Sequence, residues 1–360
     1  MKNQLFILTL LIVSLSVGSF TESATIPSNT ESIELDEIKV LALIDHSFGW
    51  NYFDIKETFE AWGVNVTTAG TSSTVASCVN REPRPVTSDI LISEVDNESL
   101  LDFDCVIVPS GGHWGDLAFD LGALNLIASA HDLGLIVSGI CTGPIVLARA
   151  GDILNGTKIA GHGNGIAYYR SAGAIRVLGQ RVVCDNRIIT GGSGSGFPDG
   201  FEGAPTYETC LTIVREIMGV SLITETNLDP AQISLESEFQ ISVELTDLSD
   251  VSEGMFDSNT SEVIATVYNI ENISLYEEIE LEETDGIYIG NFTGLEAGDY
   301  SIDIDIENED HILTTIRNVT SFSLEEGFIP LDSTGLILLS GIIIIPTIIT
   351  LAYLYSKKHG

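Results

Sequence analysis

Basic side chains are scarce in this 360-residue chain. Lysine and arginine together number 15, against 52 aspartates and glutamates, which gives a formal net charge of −37 at pH 7. Phosphate backbones and anionic membrane surfaces attract positive protein surfaces and repel negative ones. The composition therefore excludes a general nucleic-acid binder and an anionic-membrane binder. It is compatible with cationic partners, a basic cell-surface layer or solubility in a salty medium.

Signatures of cofactor sites are also missing. The glycine-rich run over 191–196 has no P-loop lysine and no helix pattern after it, which disfavours a nucleotide site. The sequence contains no Asp-x-Asp-x-Asp-Gly calcium loop and no His-x-x-x-His zinc spacing. We therefore expect no cofactor and no bound metal ion.

Two long apolar runs lie at the ends of the chain. Residues 1–24 carry one lysine, an apolar run and a small, polar end, which is typical of a cleavable secretory signal peptide. Residues 336–355 are long enough to cross a bilayer, and lysines in the tail, 356–360, predict a cytoplasmic C-terminus. These ends predict a single-pass cell-membrane protein with extracellular N-terminal domains. Candidate glycosylation sequons begin at Asn65, Asn97, Asn155, Asn259, Asn272, Asn291 and Asn318.

Between these ends the pattern of the sequence changes near Gly219. Before it, short apolar runs alternate with helix-period segments. The pattern predicts strands over 38–44, 64–68 and 105–109, and helices over 52–62 and 121–133. Such alternation indicates a parallel sheet covered by helices on both faces, in an α/β domain over 37–220 that follows a short linker, 25–36. Ligands of such sheets bind at the carboxyl ends of the strands.

After Leu222, apolar residues recur at every second position, as in 239–245, 262–268 and 300–306. This pattern predicts an antiparallel β-sandwich over 221–326, joined by the linker 327–335 to the membrane segment. We interpret its many acidic residues as the solvated faces of strands, with a calcium site as the alternative. Residues 285–300 loosely resemble immunoglobulin-like stalk domains, which implies a spacer.

The most informative segment is Gly134–Gly151, where an apolar strand run ends at Cys141 and a helix pattern follows directly. Small residues at Gly139 and Gly143, followed by a proline, are typical of a nucleophile elbow. Backbone N–H groups at a helix start favour the thiolate and lower the pKa of a thiol there. The alternative is a buried structural cysteine between two core elements.

Two motifs carry a family resemblance. The segment Val106–His113, which contains a Gly-Gly pair, is followed later by Gly139–Pro144. This combination resembles the ThiJ/PfpI superfamily, whose fold is related to class I glutamine amidotransferases. Residues 181–192 and 206–218 are similar to that family's last strands and closing helix. The resemblance implies a flavodoxin-like fold over about 37–219. It leaves the reaction open, because members include peptidases, glyoxalases and non-enzymatic regulators.

The resemblance also implies roles for particular residues. Cys141 matches the family nucleophile, and the backbone amides of Gly112 and Thr142 match the donors of its oxyanion hole. Gly111 permits the close backbone approach needed beside them. A thiolate that attacks a carbonyl creates an oxyanion, and one such donor is worth about 3 kcal/mol of transition-state stabilisation.

Two departures from the family pattern concern proton transfer. Many relatives carry a glutamate shortly after the first strand, a position that falls at about Phe48 here, so Asp45 could substitute only if the loop is rearranged. Peptidase-like members carry histidine at the position of Thr142. Our first candidate for the base is His113, followed by His46 and His162, because an imidazole accepts a proton near neutral pH. Gly111, Asp45, His46 and His162 are also expected to line the pocket.

The remaining cysteines are Cys78, Cys105, Cys184 and Cys210. In an oxidising compartment they could form two disulfides, whose pairing the sequence leaves open, and leave Cys141 as the odd free thiol. The alternative is that some of them are reduced core residues.

These observations predict a membrane-anchored extracellular protein with a ThiJ/PfpI-like domain. The preferred function is cysteine-dependent hydrolysis or reactive-carbonyl chemistry at Cys141, on a small-molecule or peptide substrate that the sequence does not identify. The alternative is a non-catalytic ligand-binding or sensory module that keeps the fold and the pocket. A homo-oligomer is compatible with the resemblance, since relatives often assemble.

Overall fold

The computed structural model describes residues 34–79, 82–192, 203–229, 238–246, 260–272, 274 and 276–324. The α-helices in these residues are α1 (Asn51–Ala61), α2 (Asn97–Leu100), α3 (Trp114–Leu117), α4 (Leu121–Asp132), α5 (Gly143–Leu147), α6 (Ile166–Ser171) and α7 (Thr206–Ile217). Short 3-10 helices cover Leu35–Glu37, Ile92–Glu94 and Gly163–Gly165.

The strands up to residue 191 are β1 (Lys39–Ile44), β2 (Asn65–Gly70), β3 (Thr74–Ala76), β4 (Pro85–Thr87), β5 (Ile90–Leu91), β6 (Cys105–Val108), β7 (Ile136–Ile140), β8 (Lys158–Ile159), β9 (Ile175–Arg176), β10 (Val182–Asp185) and β11 (Ile188–Gly191). Those that follow are β12 (Ile223–Asp229), β13 (Phe239–Leu245), β14 (Thr260–Asn269), β15 (Tyr276–Glu280), β16 (Glu282–Thr284), β17 (Ile287–Phe292), β18 (Gly298–Asn308) and β19 (Ile312–Leu324).

A parallel sheet forms the centre of the α/β part. Strands β5, β2, β1, β6, β7 and β11 lie side by side in that order, and each neighbouring pair is parallel. Alternate residues of β1 enter two cores: Val40 and Ala42 pack with α1 and α7, while Leu41 and Leu43 pack with α4 and α5. Strands buried on both faces read as continuous apolar runs, which explains the sequence pattern. The predicted strands and helices of this part are confirmed.

The antiparallel part continues the same sheet. β10 pairs antiparallel with β11 on one side, and on the other it pairs parallel with β19, so that Val182–Asp185 lie opposite Ile312–Thr315. Beyond β19 the sheet continues through β18, β14 and β15. A second sheet, in the order β12, β13, β17 and β16, packs on these strands, and the ring centroids of Phe239 and Phe322 are 5.1 Å apart. The alternating strands are confirmed, but the predicted fold class of an α/β domain followed by an independent immunoglobulin-like stalk is wrong.

A buried ion cluster lies where β10 meets β19. The Arg317 guanidinium donates to both carboxylate oxygens of the fully buried Asp185, at 2.9 and 2.6 Å, and to Asp303 at 2.9 Å. These bonds, to Asp185 above all, raise the pKa of Arg317 and keep it charged. Asp305 pairs with Lys158 of the α/β part. The interpretation of the strand acids as solvated faces is wrong for Asp303 and Asp305, because both turn into this junction and are buried.

The helices of the described residues are short compared with the thickness of a bilayer. No helix there is long and apolar enough to cross a bilayer, and the longest, α4 and α7, have 12 residues each. For the described residues, this finding corrects the predicted fold class with one transmembrane helix and the predicted single-pass location in the cell membrane. The predicted signal peptide, 1–24, and the segment 327–360 lie outside the described residues.

All five cysteines lie in the described part, and none of them forms a disulfide bond. Burial raises the pKa of the Cys105, Cys184 and Cys210 thiols, so these three stay protonated. The two predicted disulfides are therefore not formed. The alternative of reduced core residues is confirmed for these three, and Cys78 is half-buried.

Candidate functional site

Cys141 occupies a left-handed turn between β7 and α5. The strand ends at Ile140, the helix begins at Gly143, and the φ of Cys141 is 60°. A non-glycine residue in this conformation costs about 1–3 kcal/mol, so its surroundings must hold it. The Cys141 amide donates to the Gly191 carbonyl oxygen at 2.7 Å, and its carbonyl oxygen accepts from the His162 amide at 3.1 Å. The predicted turn from strand to helix at this cysteine is confirmed.

Two glycines allow the close packing of this turn. A Cβ at Gly143 would lie 2.3 Å from the carbonyl oxygen of Val108, and a Cβ at Gly139 would lie 2.8 Å from the nitrogen of Pro144. α5 therefore rests directly on the carboxyl ends of β6 and β7. With only five residues, α5 offers the thiolate a short helix dipole, so nearby hydrogen-bond donors matter more.

The Gly111–Gly112 turn is attached to the elbow through the Thr142 side chain. The Thr142 hydroxyl donates to the Gly111 carbonyl oxygen and accepts from the Gly111 amide, both at 3.0 Å. Gly111 has a φ of 120°, and a Cβ there would lie 2.2 Å from the nitrogen of Gly49. Within the described residues, neither the Gly112 amide nor the Thr142 amide donates to a protein acceptor. Two neighbouring turns thus each present an unpaired N–H, as a developing oxyanion requires.

His113 is fully buried, and both of its ring nitrogens are engaged. Nε2 bonds to the Pro109 carbonyl oxygen at 2.9 Å, and Nδ1 accepts from the Asp45 amide at 3.3 Å. These partners assign the proton of the neutral ring to Nε2. Burial lowers the pKa of His113, which keeps the ring neutral. In this arrangement the ring has no free nitrogen for the proton of the Cys141 thiol.

The other predicted pocket residues differ in their hydrogen-bond partners, and among them His162 is bonded to Cys141. Asp45 accepts from the Thr71 hydroxyl and from the His46 amide, and Nδ1 of exposed His46 accepts from the Ala76 amide. These bonds lie in the loops after β1 and β2 and at the end of β3. His162 is bonded to Cys141 through its backbone, and its Nδ1 accepts from the Asn164 amide at 3.2 Å. Burial, assisted by the charge of Arg176, lowers the pKa of His162 and keeps its ring neutral.

Sequence reasoning missed two buried polar residues near the site, Asn51 and Tyr169. Asn51, the first residue of α1, accepts from the amide and hydroxyl of Ser110 at 3.1 and 2.5 Å, and its Nδ2 has no hydrogen-bond partner in the described part. The sequence feature that could have indicated Asn51 is a polar residue at the first position of a helix that follows a strand-end loop. Tyr169 lies on α6, and the feature that could have indicated it is the pair of glycines, Gly161 and Gly165, that precede it.

The neutral, buried His113 is expected to make stability depend on pH. The unfolded chain binds a proton on this ring near pH 6.5, whereas the folded chain does so only at lower pH. The free energy of unfolding should therefore fall as the pH drops below about 6.5, by up to about 1.4 kcal/mol per pH unit for this group. Urea unfolding at pH 7.5, 6.5 and 5.5 should show a shallower pH slope in His113→Gln. Parallel curves for the two proteins would contradict the assignment.

Fold and site together define the class of this molecule: a parallel α/β protein with a cysteine on a left-handed turn from strand to helix. The sequence model described as the DJ-1/PfpI family matches residues 38–199. Residues 38–199 form a DJ-1/PfpI family domain, which confirms the resemblance drawn from the motifs.

Three proteins illustrate this similarity. An isonitrile hydratase from Pseudomonas putida is 34% identical over 117 residues, which make up 32% of this chain and 46% of that protein, so the chain spans about half of that relative's length. The ThiJ/PfpI domain protein from Brachyspira murdochii is 21% identical, with a TM-score of 0.43 over 51% of this chain and 98% of that chain. Drosophila melanogaster DJ-1beta is 22% identical, with a TM-score of 0.42 over 51% of this chain and 91% of that chain.

Proposed function

We propose that this protein is a cysteine-dependent enzyme whose Cys141 thiolate attacks an electrophilic carbon. The reaction we propose is the hydration of an isonitrile, R–N≡C, to an N-substituted formamide. The observation that carries the proposal is the left-handed turn of Cys141 with the unpaired amides of Gly112 and Thr142 close by. The partial identity to an isonitrile hydratase supports the substrate class.

The proposed reaction proceeds in two additions at one carbon. The Cys141 thiolate forms a C–S bond to the terminal carbon of the isonitrile, and that carbon takes up one proton, which gives a thioimidate, R–N=CH–S. Water then adds to the same carbon, leaving its oxygen on carbon and one proton on nitrogen, and its second proton is released to replace the one that the carbon took up. When the C–S bond breaks, R–NH–CHO leaves and the thiolate returns. One water is consumed, and no electrons are exchanged.

The site supplies a group for each stage. The Gly112 and Thr142 amides stabilise the oxygen of the water adduct, where negative charge develops. His162, which is bonded to Cys141 through its backbone and is neutral because burial lowers its pKa, carries the proton between sulfur, water and product. His113 has no part in this scheme, because its two nitrogens are already bonded.

The test is the appearance of formamide from a simple isonitrile such as cyclohexyl isonitrile, followed by mass spectrometry. We expect turnover by the full chain and a loss of at least about 1,000-fold in Cys141→Ser, because a hydroxyl is a far weaker nucleophile than a thiolate at neutral pH. Cys78→Ser is the matched control, since Cys78 is also a half-buried cysteine outside a disulfide bond, and it should keep the wild-type rate. Equal turnover in the two serine variants would rule out the proposed nucleophile.

A non-catalytic ligand-binding module is the second candidate. It is favoured by the engagement of both nitrogens of His113, the histidine predicted first as the base. This reading expects the isonitrile to bind without formamide release, with similar affinity in the wild type and in Cys141→Ser. Calorimetry with the same compound separates the two candidates.

A further inference from the structure

One buried hydroxyl at the site has no part in the reaction as described so far. Tyr169 of α6 is 1% exposed, and its ring lies against the loop that carries His162. A Cβ at Gly161 would lie 2.6 Å from the Tyr169 hydroxyl oxygen, and a Cβ at Gly165 would lie 2.3 Å from it. The two glycines therefore leave a space that the end of the tyrosine ring fills.

The hydroxyl in this space makes no well-formed hydrogen bond. Among the described residues, no partner for the Tyr169 hydroxyl meets hydrogen-bond geometry. The backbone amide of His162 faces it, but the hydrogen of that amide is directed to the Cys141 carbonyl oxygen at 3.1 Å. An unpaired buried hydroxyl costs about 1–3 kcal/mol, and phenylalanine would fill the same space without that cost.

The protonation state of Tyr169 limits what the hydroxyl can do. Burial raises the pKa of Tyr169, and the negative charge of the Cys141 thiolate raises it further. The phenol is therefore always protonated at physiological pH and acts as a hydrogen-bond donor, never as a base. The hydroxyl packs against Gly161, and the next residue, His162, donates its amide to the Cys141 carbonyl oxygen at 3.1 Å, so the hydroxyl lies against a loop that is bonded to the cysteine turn.

We propose that the Tyr169 O–H donates a hydrogen bond to the sulfur of Cys141 when the thiol ionises, and thereby stabilises the thiolate from the buried side of the turn. The inference rests on the proposed function, in which Cys141 is the nucleophile. It also accounts for the unpaired hydroxyl, because its partner is the ionised form of the neighbouring sulfur. In this role Tyr169 replaces the adjacent acid or histidine that the sequence lacks.

The test is the rate of iodoacetamide alkylation of Cys141 against pH, read by peptide mass spectrometry in the full chain. In Tyr169→Phe the midpoint should rise by about one pH unit, because one charge-assisted hydrogen bond to the thiolate is lost. Tyr168→Phe is the matched control: this neighbouring tyrosine is half-buried and packs edge-on against Trp114, so its variant should keep the wild-type midpoint.

Thermal unfolding separates this role from a structural one. Removal of an unpaired hydroxyl should leave the melting temperature of Tyr169→Phe unchanged or slightly raised. An unchanged alkylation midpoint would overturn the inference, because the hydroxyl would then not stabilise the thiolate. A variant that fails to fold would also overturn it, because the hydroxyl would then have a structural partner. Alkylation needs no substrate, so an absence of isonitrile turnover would count against the proposed reaction alone.

Discussion

Replacement of Arg317 by methionine is expected to lower the free energy of unfolding by about 3–5 kcal/mol, the usual cost of removing one partner from a buried ion pair. Asp185 is fully buried, and Arg317 supplies two of its hydrogen bonds. Without the guanidinium, the Asp185 carboxylate keeps the Lys158 amide, at 2.7 Å, as its remaining donor in the described part. Urea unfolding followed by circular dichroism at pH 7 measures the difference.

Removal of the acidic partner should lower the free energy of unfolding by less. In Asp185→Ala, Arg317 still bonds to Asp303 at 2.9 Å, and its side chain is already 39% exposed, so the free guanidinium also reaches water. We expect a loss of about 1–2 kcal/mol. Lys56→Met is the matched control, because the Lys56–Glu60 pair is an exposed pair within one helix and should contribute at most about 0.5 kcal/mol. Equal costs for Arg317→Met and Lys56→Met would contradict the burial argument.

The junction between β10 and β19 is the feature of the fold that the sequence predicts least well. Period-two alternation located β13, β14 and β18, because each strand has an apolar face that must be covered. Alternation does not report what covers the other face. Asp303 and Asp305 lie on that face of β18, and their partners are Arg317, fourteen residues away from Asp303, and Lys158 in the α/β part. Lys158 and Asp305 are 147 residues apart, so no local pattern in the sequence indicates this ion pair.

In the candidate site too, local features could be predicted from the sequence, whereas contacts between distant residues could not. The cysteine turn was predictable because it is a local feature, written in the order of small residues around Cys141. The attachment of Thr142 to Gly111 joins positions 31 residues apart, and the space for the Tyr169 hydroxyl depends on how α6 folds back over Gly161. Whether a histidine has a free nitrogen likewise depends on distant groups, as the amide of Asp45 shows for His113.

Thr142→Val is expected to reduce turnover of an isonitrile about 100-fold without removing any group that touches the substrate. The hydroxyl of Thr142 joins the cysteine turn to the Gly111–Gly112 turn by two hydrogen bonds of 3.0 Å. Valine keeps the shape but leaves the amide and the carbonyl of Gly111 unpaired, at a cost of about 1–3 kcal/mol of stability. The Gly112 N–H is then no longer held in place, and a misplacement of about 1 Å costs about 100-fold in rate.

Thr142→Ser retains the hydroxyl and should restore most of the rate and the stability that valine removes. The wild type, valine and serine variants are compared in urea unfolding and in the formamide assay, with the kcat and KM effects kept separate. The loss in Thr142→Val should fall on kcat, because an oxyanion donor acts on the transition state more than on the bound substrate. A rise in KM at unchanged kcat would show that Thr142 contacts the substrate instead. If no isonitrile is turned over, the stability difference between the valine and serine variants still tests the hydrogen bonds themselves, since those bonds exist in the protein without substrate.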